Sequence, residues 1–466
     1  MNGRDPTREP QATPPDDGPP GEEPRPRCPS ITRRRFLATL GAGVAVATVG
    51  GFGIAVWGRN PAAPSPTTTL GNGPGTSAPP SAPPGTIAVP EARTLVVVEM
   101  GGGNDGLNTV VPYASTRYHD LRGDLAVAEP LILDDEIGLH PSLGFLAERY
   151  GEGRLAVVEG IGYPDPDLSH FASMAVWWSG ASGAPGSTGW LGRYLDATVG
   201  TEDPLAGVSI GPGPTPALLG DHSFMVSVQN LAGLSPTLPP WIDTADELLA
   251  MWKGFAPAAF DGATLLDEVR RAVGSTVSAA DELDTILAEG ETSPSSRDRV
   301  DGSLRGRRDL ATSLQVAAAL VASPAPPRVV YVHGWGDFDT HEGETRRHEE
   351  LMTALDTALR DFSTDVDAAG VADRVLVMTT SEFGRRVAFN GSGTDHGTAA
   401  AHLVLGAAVR GGRYGEPPSL TRLDSRGNLV HTVDYRSLYA TVLTDWLRAD
   451  AATILGGEFP RLGFLA

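Results

Sequence analysis

Four short, uninterrupted apolar runs constrain this chain more than any other feature: TLVVVE at 94–99, LAVVE at 155–159, RVVYV at 328–332 and RVLVMT at 374–379. A run of this length without polar alternation suits a strand covered on both faces, so these segments predict parallel strands beneath helices. Each gives way to a loop that carries glycine together with acids, histidines or hydroxyls. Open α/β sheets bind ligands just beyond the carboxyl ends of their strands. Those loops are therefore where chemistry is expected.

The first loop, GGGNDGLN, sets Asp105 beyond a three-glycine turn, and the second carries DLSHF, with Ser169 at the start of a helical pattern. The third, HGWGDFDTHEGE, holds Asp337, Asp339 and His341. The fourth, TSEFGRR, holds Glu382, Arg385 and Arg386, and a glycine-rich stretch then leads to Asp395 and His396. Taken singly, such loops read as solvated turns, and Ser169 as a helix N-cap. His170 beside it reads equally well as a packed or a catalytic ring. Repetition of the pattern from Asp105 to His396 points instead to one cleft lined by Asp105, Asp339, His341, Glu382, Asp395 and His396. Carboxylates and imidazoles are ligands for divalent cations. Cys28, the only cysteine, lies ahead of the folded part, which excludes internal disulfides and thiolate ligands.

The 57 acidic and 36 basic residues of the 466-residue chain give a net charge of −21, which argues against nucleic acid as a partner. Residues 1–30, rich in Pro, Arg, Asp and Glu, read as a disordered leader. Residues 31–58 begin ITRRRFL and continue as an apolar Gly/Ala-rich run, the pattern of a twin-arginine export signal or, alternatively, a membrane anchor. This segment is the only expected contact with a membrane, and the export machinery the expected partner. Residues 59–91 are a Pro/Ser/Thr linker, and 92–466 form the folded domain. Within it, residues 240–323 show helical spacing and read as an insert. HEELMTALDTALRDFSTDVDAAG reads as an amphipathic helix, AAAHLVLGAAV as helix or strand, and DYRSLYATVLTDWLRA as helix.

GGGNDGLNTVVPY, HPSLGFL, GRLAVVEGIGYPDPDLSHF, DFDTH, TSEFGRR and NGSGTDHGTAAAHLVLG occur in this order. They resemble the bacterial domain-of-unknown-function 1501 family, across the folded part from Thr94 to Ala466. That family is similar in turn to the alkaline phosphatase–sulfatase superfamily. The resemblance implies a doubly wound, mostly parallel α/β sheet with helices on both faces. It also implies two divalent ions, with Mg, Mn, Ca and Zn not distinguished, acting on a small anionic ester of phosphate or sulfate. Carried over in order, Asp105 falls on the first metal ligand, Ser169 on the nucleophile, Asp339 and His341 on the middle motif, Glu382 on the later acid and His396 on the last histidine. The shared Asp-Thr-His favours Asp339 over Asp337, which becomes a supporting residue. Phe383 stands where a second imidazole is expected, unless Asp395-His396 supplies that pair. Arg385 or Arg386 would hold the anionic oxygens. The alternative is a non-catalytic envelope protein of the same fold that binds a metal or ligand.

Overall fold

The computed structural model describes residues 93–181, 187–200, 203, 205–223, 225–228, 282, 285, 286 and 309–465, with two short strands at 44–49 and 52–57. The linker, Cys28 and most of the 240–323 insert lie outside these residues.

The main sheet is formed by β1 (Thr94–Glu99), β2 (Leu155–Gly162), β3 (Gly207–Ile210), β4 (Val226–Val228), β5 (Val329–Val332) and β6 (Val375–Thr380). A small ribbon of β7 (Arg385–Phe389) and β8 (Thr394–His396) follows, and β9 (Ala400–Gly406) and β10 (Gly412–Gly415) return to the main sheet. The order across the sheet is β4-β3-β5-β1-β6-β9-β2-β10. The first of the predicted runs therefore lies in the interior of the sheet. Pairing is parallel from β4 to β6 and between β2 and β10. β9 alone among these runs opposite, antiparallel to both β6 and β2. It settles the ambiguous AAAHLVLGAAV as strand. Because β9 is reversed, it begins at the edge where its neighbours end, and His396 just before it joins the loops that follow β1, β5 and β6.

Alternate residues of each run serve opposite layers, as the pleat requires. Val96 and Val98 enter the core beneath α2 (Leu310–Ala322) and α3 (Glu344–Ala368), whereas Leu95 and Val97 enter the one beneath α1 (His170–Ser179). Such fully buried side chains contribute about 1.5–3 kcal/mol each. The predicted amphipathic helix is α3, which turns Met352, Leu355, Leu359, Phe362 and Val366 inward at helical spacing. The tail forms Tyr435–Thr441, continuing as a π-helical turn over Val442–Trp446.

Residues 44–49 and 52–57, within the segment read as a signal or anchor, are strands rather than helix. They pair with each other, and Phe52–Trp57 pairs with β4. Among the described residues no helix is long and apolar enough to cross a membrane.

Candidate metal centre

Three imidazoles converge on one carboxylate beyond the strand ends. His170 opens α1, Asp339 and His341 lie in the loop after β5, and His396 ends β8. Asp339 Oδ1 lies 3.0 Å from His396 Nε2 and 3.1 Å from His341 Nε2, and its Oδ2 lies 3.5 Å from His170 Nε2. The Nε2 atoms of His341 and His396 are themselves 3.0 Å apart.

The far side of each ring defines its tautomer. Nδ1 of His396 is 2.9 Å from the Leu168 carbonyl, which only accepts, so this nitrogen carries the proton. Nδ1 of His170 donates to Glu382 Oε1 at 2.7 Å, and Nδ1 of His341 faces Asp395 Oδ1 at 3.4 Å. Each neutral ring then aims a bare Nε2 lone pair at Asp339. Lone pairs facing a carboxylate repel unless a proton or a cation stands between them. Imidazoles backed on Nδ1 by carboxylate or carbonyl, with Nε2 turned inward, are the usual dress of a metal-binding histidine. In the protein alone a proton partly answers the demand: the hydrogen bond to Glu382 raises the pKa of His170 against the effect of burial. Burial lowers that of His396. Burial would raise Asp339, but its contacts with His396 and Arg385 outweigh it and hold the carboxyl near 2. Ligand atoms of His170, Asp339 and His396 all lie within 4.8 Å of one another, so the donor set fits one divalent ion.

Close backbone approach makes this possible. Gly102, at φ +115°, faces Asp339 N so tightly that a Cβ would lie 2.5 Å from it. A side chain there would push the Asp339 loop off the cluster.

Several expected roles change. Asp105 is not part of the cluster. It is sealed from solvent, with both carboxylate oxygens paired to the equally buried Arg122 and Oδ1 also accepting from Leu107 N. Glu382 and Asp395 stand behind His170 and His341 rather than beside the other donors. Arg385 has no capacity left for a substrate: its buried guanidinium donates to the carbonyls of Gly102, Gly103, Phe338 and Thr394 and, at 2.6 Å, to Asp339 Oδ1. It ties together the loops that carry the site. Arg386 is half-exposed, 3.7 Å from Asp395. Asp337 accepts from the backbone N–H of Asp339 and pairs with Arg347, which braces the loop. Phe383 lies against the rings of His170 and His396, an apolar floor in place of another imidazole.

Ser169 occupies the N-cap position of α1, yet its hydroxyl makes no cap hydrogen bond. Leu168 before it is left-handed at φ +62°, a conformation that non-glycine residues seldom hold without support. The carbonyl of the same residue accepts the hydrogen bond from His396 Nδ1. His170 is the functional residue that sequence reasoning left undecided. DLSHF contained it, but only the fold shows its ring meeting residues far along the chain.

The architecture is thus an α/β domain with a histidine–carboxylate cleft at the carboxyl edge of its sheet. Residues 92–449 match the model of the family described as "Protein of unknown function (DUF1501)", and the chain belongs to that family. No curated protein matches it. Among solved structures, a protein in the alkaline phosphatase superfamily from Vibrio parahaemolyticus is similar at 9% identity and TM-score 0.35, over 79% of this chain and 69% of that one. The PsFucS1 sulfatase from Pseudoalteromonas sp. is similar at 11% identity and TM-score 0.35, over 81% and 72%. The C-terminal periplasmic domain of EcEptC from Escherichia coli, in complex with Zn, is similar at 11% identity and TM-score 0.33, over 68% and 73%.

Proposed function

We propose that this protein is an exported, metal-dependent hydrolase of phosphate or sulfate esters. The observation that carries the reading is the convergence of three backed imidazoles on Asp339. His170, Asp339 and His396 would hold the ion, with His341 beside them. An imidazole-rich set suits Zn better than Mg, Mn or Ca, the reverse of the preference that a carboxylate-rich set would give. With Asp105 committed to Arg122, one ion rather than two is the count these residues support.

A bound divalent ion supplies Lewis acidity and lowers the pKa of a coordinated hydroxyl or water. The chain supplies the rest. Ser169, at a helix N-terminus without a side-chain cap bond and next to a ligand histidine, would act as the nucleophile, and the dipole of α1 favours negative charge there. Of the two neighbouring arginines, Arg386 would hold the anionic oxygens, since Arg385 is engaged with the loops. The RRRFL leader supports export by the twin-arginine machinery to the periplasm, envelope or exterior.

The test is metal content followed by turnover. Protein loaded with Zn or Mn is expected to bind one equivalent and to hydrolyse at least one ester in a phosphomonoester, phosphodiester and sulfate panel. Ser169→Ala is expected to abolish turnover while leaving the bound metal in place. A loaded protein inactive on the whole panel would sink the hydrolase reading. A metal-binding envelope protein without catalysis would then stand in its place, a reading favoured by Arg385 being spent on backbone carbonyls.

A further inference from the structure

Glu99 is the last residue of β1, buried at 7% exposure, and no role in binding the ion falls to it. Its Oε2 accepts two hydrogen bonds from different elements: Tyr331 of β5 donates at 2.7 Å and Trp178 Nε1 of α1 at 2.8 Å. Trp178 lies two helical turns beyond His170 on the same helix. Glu99 therefore pins α1 to the middle of the sheet, and with it the first residue of that helix, which faces Asp339.

A second carboxyl lies close by. Glu99 pairs in register with Thr380 of β6, and Glu382 is the second residue after Thr380. Glu382 accepts from the Gly102 N–H at 2.9 Å and from His170 Nδ1. The groups facing Glu99 are Trp178 and Tyr331, which donate to it, with Tyr439 from the helix Tyr435–Thr441 and Glu382. The bonds from Tyr331 and Trp178 favour a charge on Glu99, whereas the carboxyl of Glu382 disfavours it. Burial, opposed by the Tyr331 and Trp178 bonds and assisted by Glu382, raises its pKa to about 7.

We propose that Glu99 is a positioning residue of the cation centre, acting through Trp178 on the helix that carries His170 and through Glu382 on the ring of His170 itself. In its protonated form it anchors α1 and adds no charge beneath the centre. As it ionises it adds a negative charge there, which strengthens cation binding. The inference rests on the metal reading for its consequence, whereas the hydrogen-bond geometry and the titration of Glu99 stand apart from it.

The experiment follows the Trp178 indole N–H by NMR in metal-free protein, the signal being assigned with Trp178→Phe. Its resonance is expected to titrate with a midpoint near pH 7 and to become pH-independent in Glu99→Gln, which keeps an acceptor for both donors but cannot ionise. Zn or Mn affinity of the wild type and Glu99→Gln is then compared at pH 6 and pH 8.5. The two should agree at the lower pH, and the wild type should bind several-fold more tightly at the higher. A Trp178 signal that does not titrate, or an affinity ratio that stays constant with pH, overturns the proposal. A titrating signal in a protein that binds neither metal leaves the carboxyl pairing intact and removes the metal reading instead.

Discussion

The cleft at Asp339 and the sealed cluster at Asp105 draw on the same residue types, and both lie where a loop leaves a buried strand. At Asp105 the acid meets the guanidinium of Arg122, and burial is complete. Burial alone would raise Asp105, but Arg122 overcomes it and holds the carboxyl near 2. Glu344 nearby, desolvated and next to Asp105, is driven the other way, to about 9, and keeps its proton while accepting from Thr394 Oγ1. Charge in this cluster is settled internally. At Asp339 one guanidinium is shared between the carboxylate and four carbonyls, and three histidines add lone pairs rather than fixed positive charge. The side chain of Asp339 keeps 35% of its surface open. A buried acid with a dedicated cation is architecture, whereas a half-open acid ringed by imidazoles is a candidate site.

The sharpest way to break this contrast is Arg122→Met. Stranding a buried carboxylate costs about 3–5 kcal/mol, so urea denaturation should show a loss of that order, largely restored in the double variant Arg122→Met/Asp105→Asn. A loss below about 1 kcal/mol would mean that Asp105 is not committed to Arg122. In the cleft the order of effects reverses. His396→Ala should lower metal affinity more than a backing residue such as Asp395→Asn, for which about 10–100-fold is expected. Calorimetric titration reads both, and thermal melting of the metal-free variants should change little.

Glu344→Gln sharpens the description of the sealed cluster. A carboxyl at about 9 in the folded protein, against about 4.5 unfolded, retains a proton that the unfolded chain has lost. Its contribution to stability is therefore complete at low pH and falls away as pH rises through that window. Glu344→Gln cannot lose a proton, so its stability should decline less between pH 5 and 9 than that of the wild type. Parallel denaturation curves would contradict a protonated Glu344. The smallest effect belongs to Arg386→Ala, with metal content unchanged. KM for an anionic ester should rise about two- to fivefold, the range of a partly exposed ion pair worth about 0.2–1 kcal/mol.

Much of the frame was legible in the residues. All four apolar runs became interior strands, and the loops after them reached one edge, because local patterning dictates burial and burial dictates pairing. The structure brings Asp339, His341 and His396, grouped on that basis, within hydrogen-bond distance of one another. That Asp105 lies apart from them was not legible, because nothing in GGGND marks Arg122 as its partner. The bracing contacts of Arg385 were not legible either, because most of its acceptors are backbone carbonyls, which no side-chain pattern reveals. His170 stayed undecided because its partners, Asp339 and Glu382, lie far along the chain.

The sequence by itself determined where strands stop, where glycine lets loops come close, and which residue types wait there. Those properties are local, set by side-chain hydrophobicity and backbone freedom. Only the tertiary structure decided which acid received a guanidinium and which received imidazoles. That choice depends on strand order, on the reversal of β9 and on charges brought within a few ångströms across hundreds of residues.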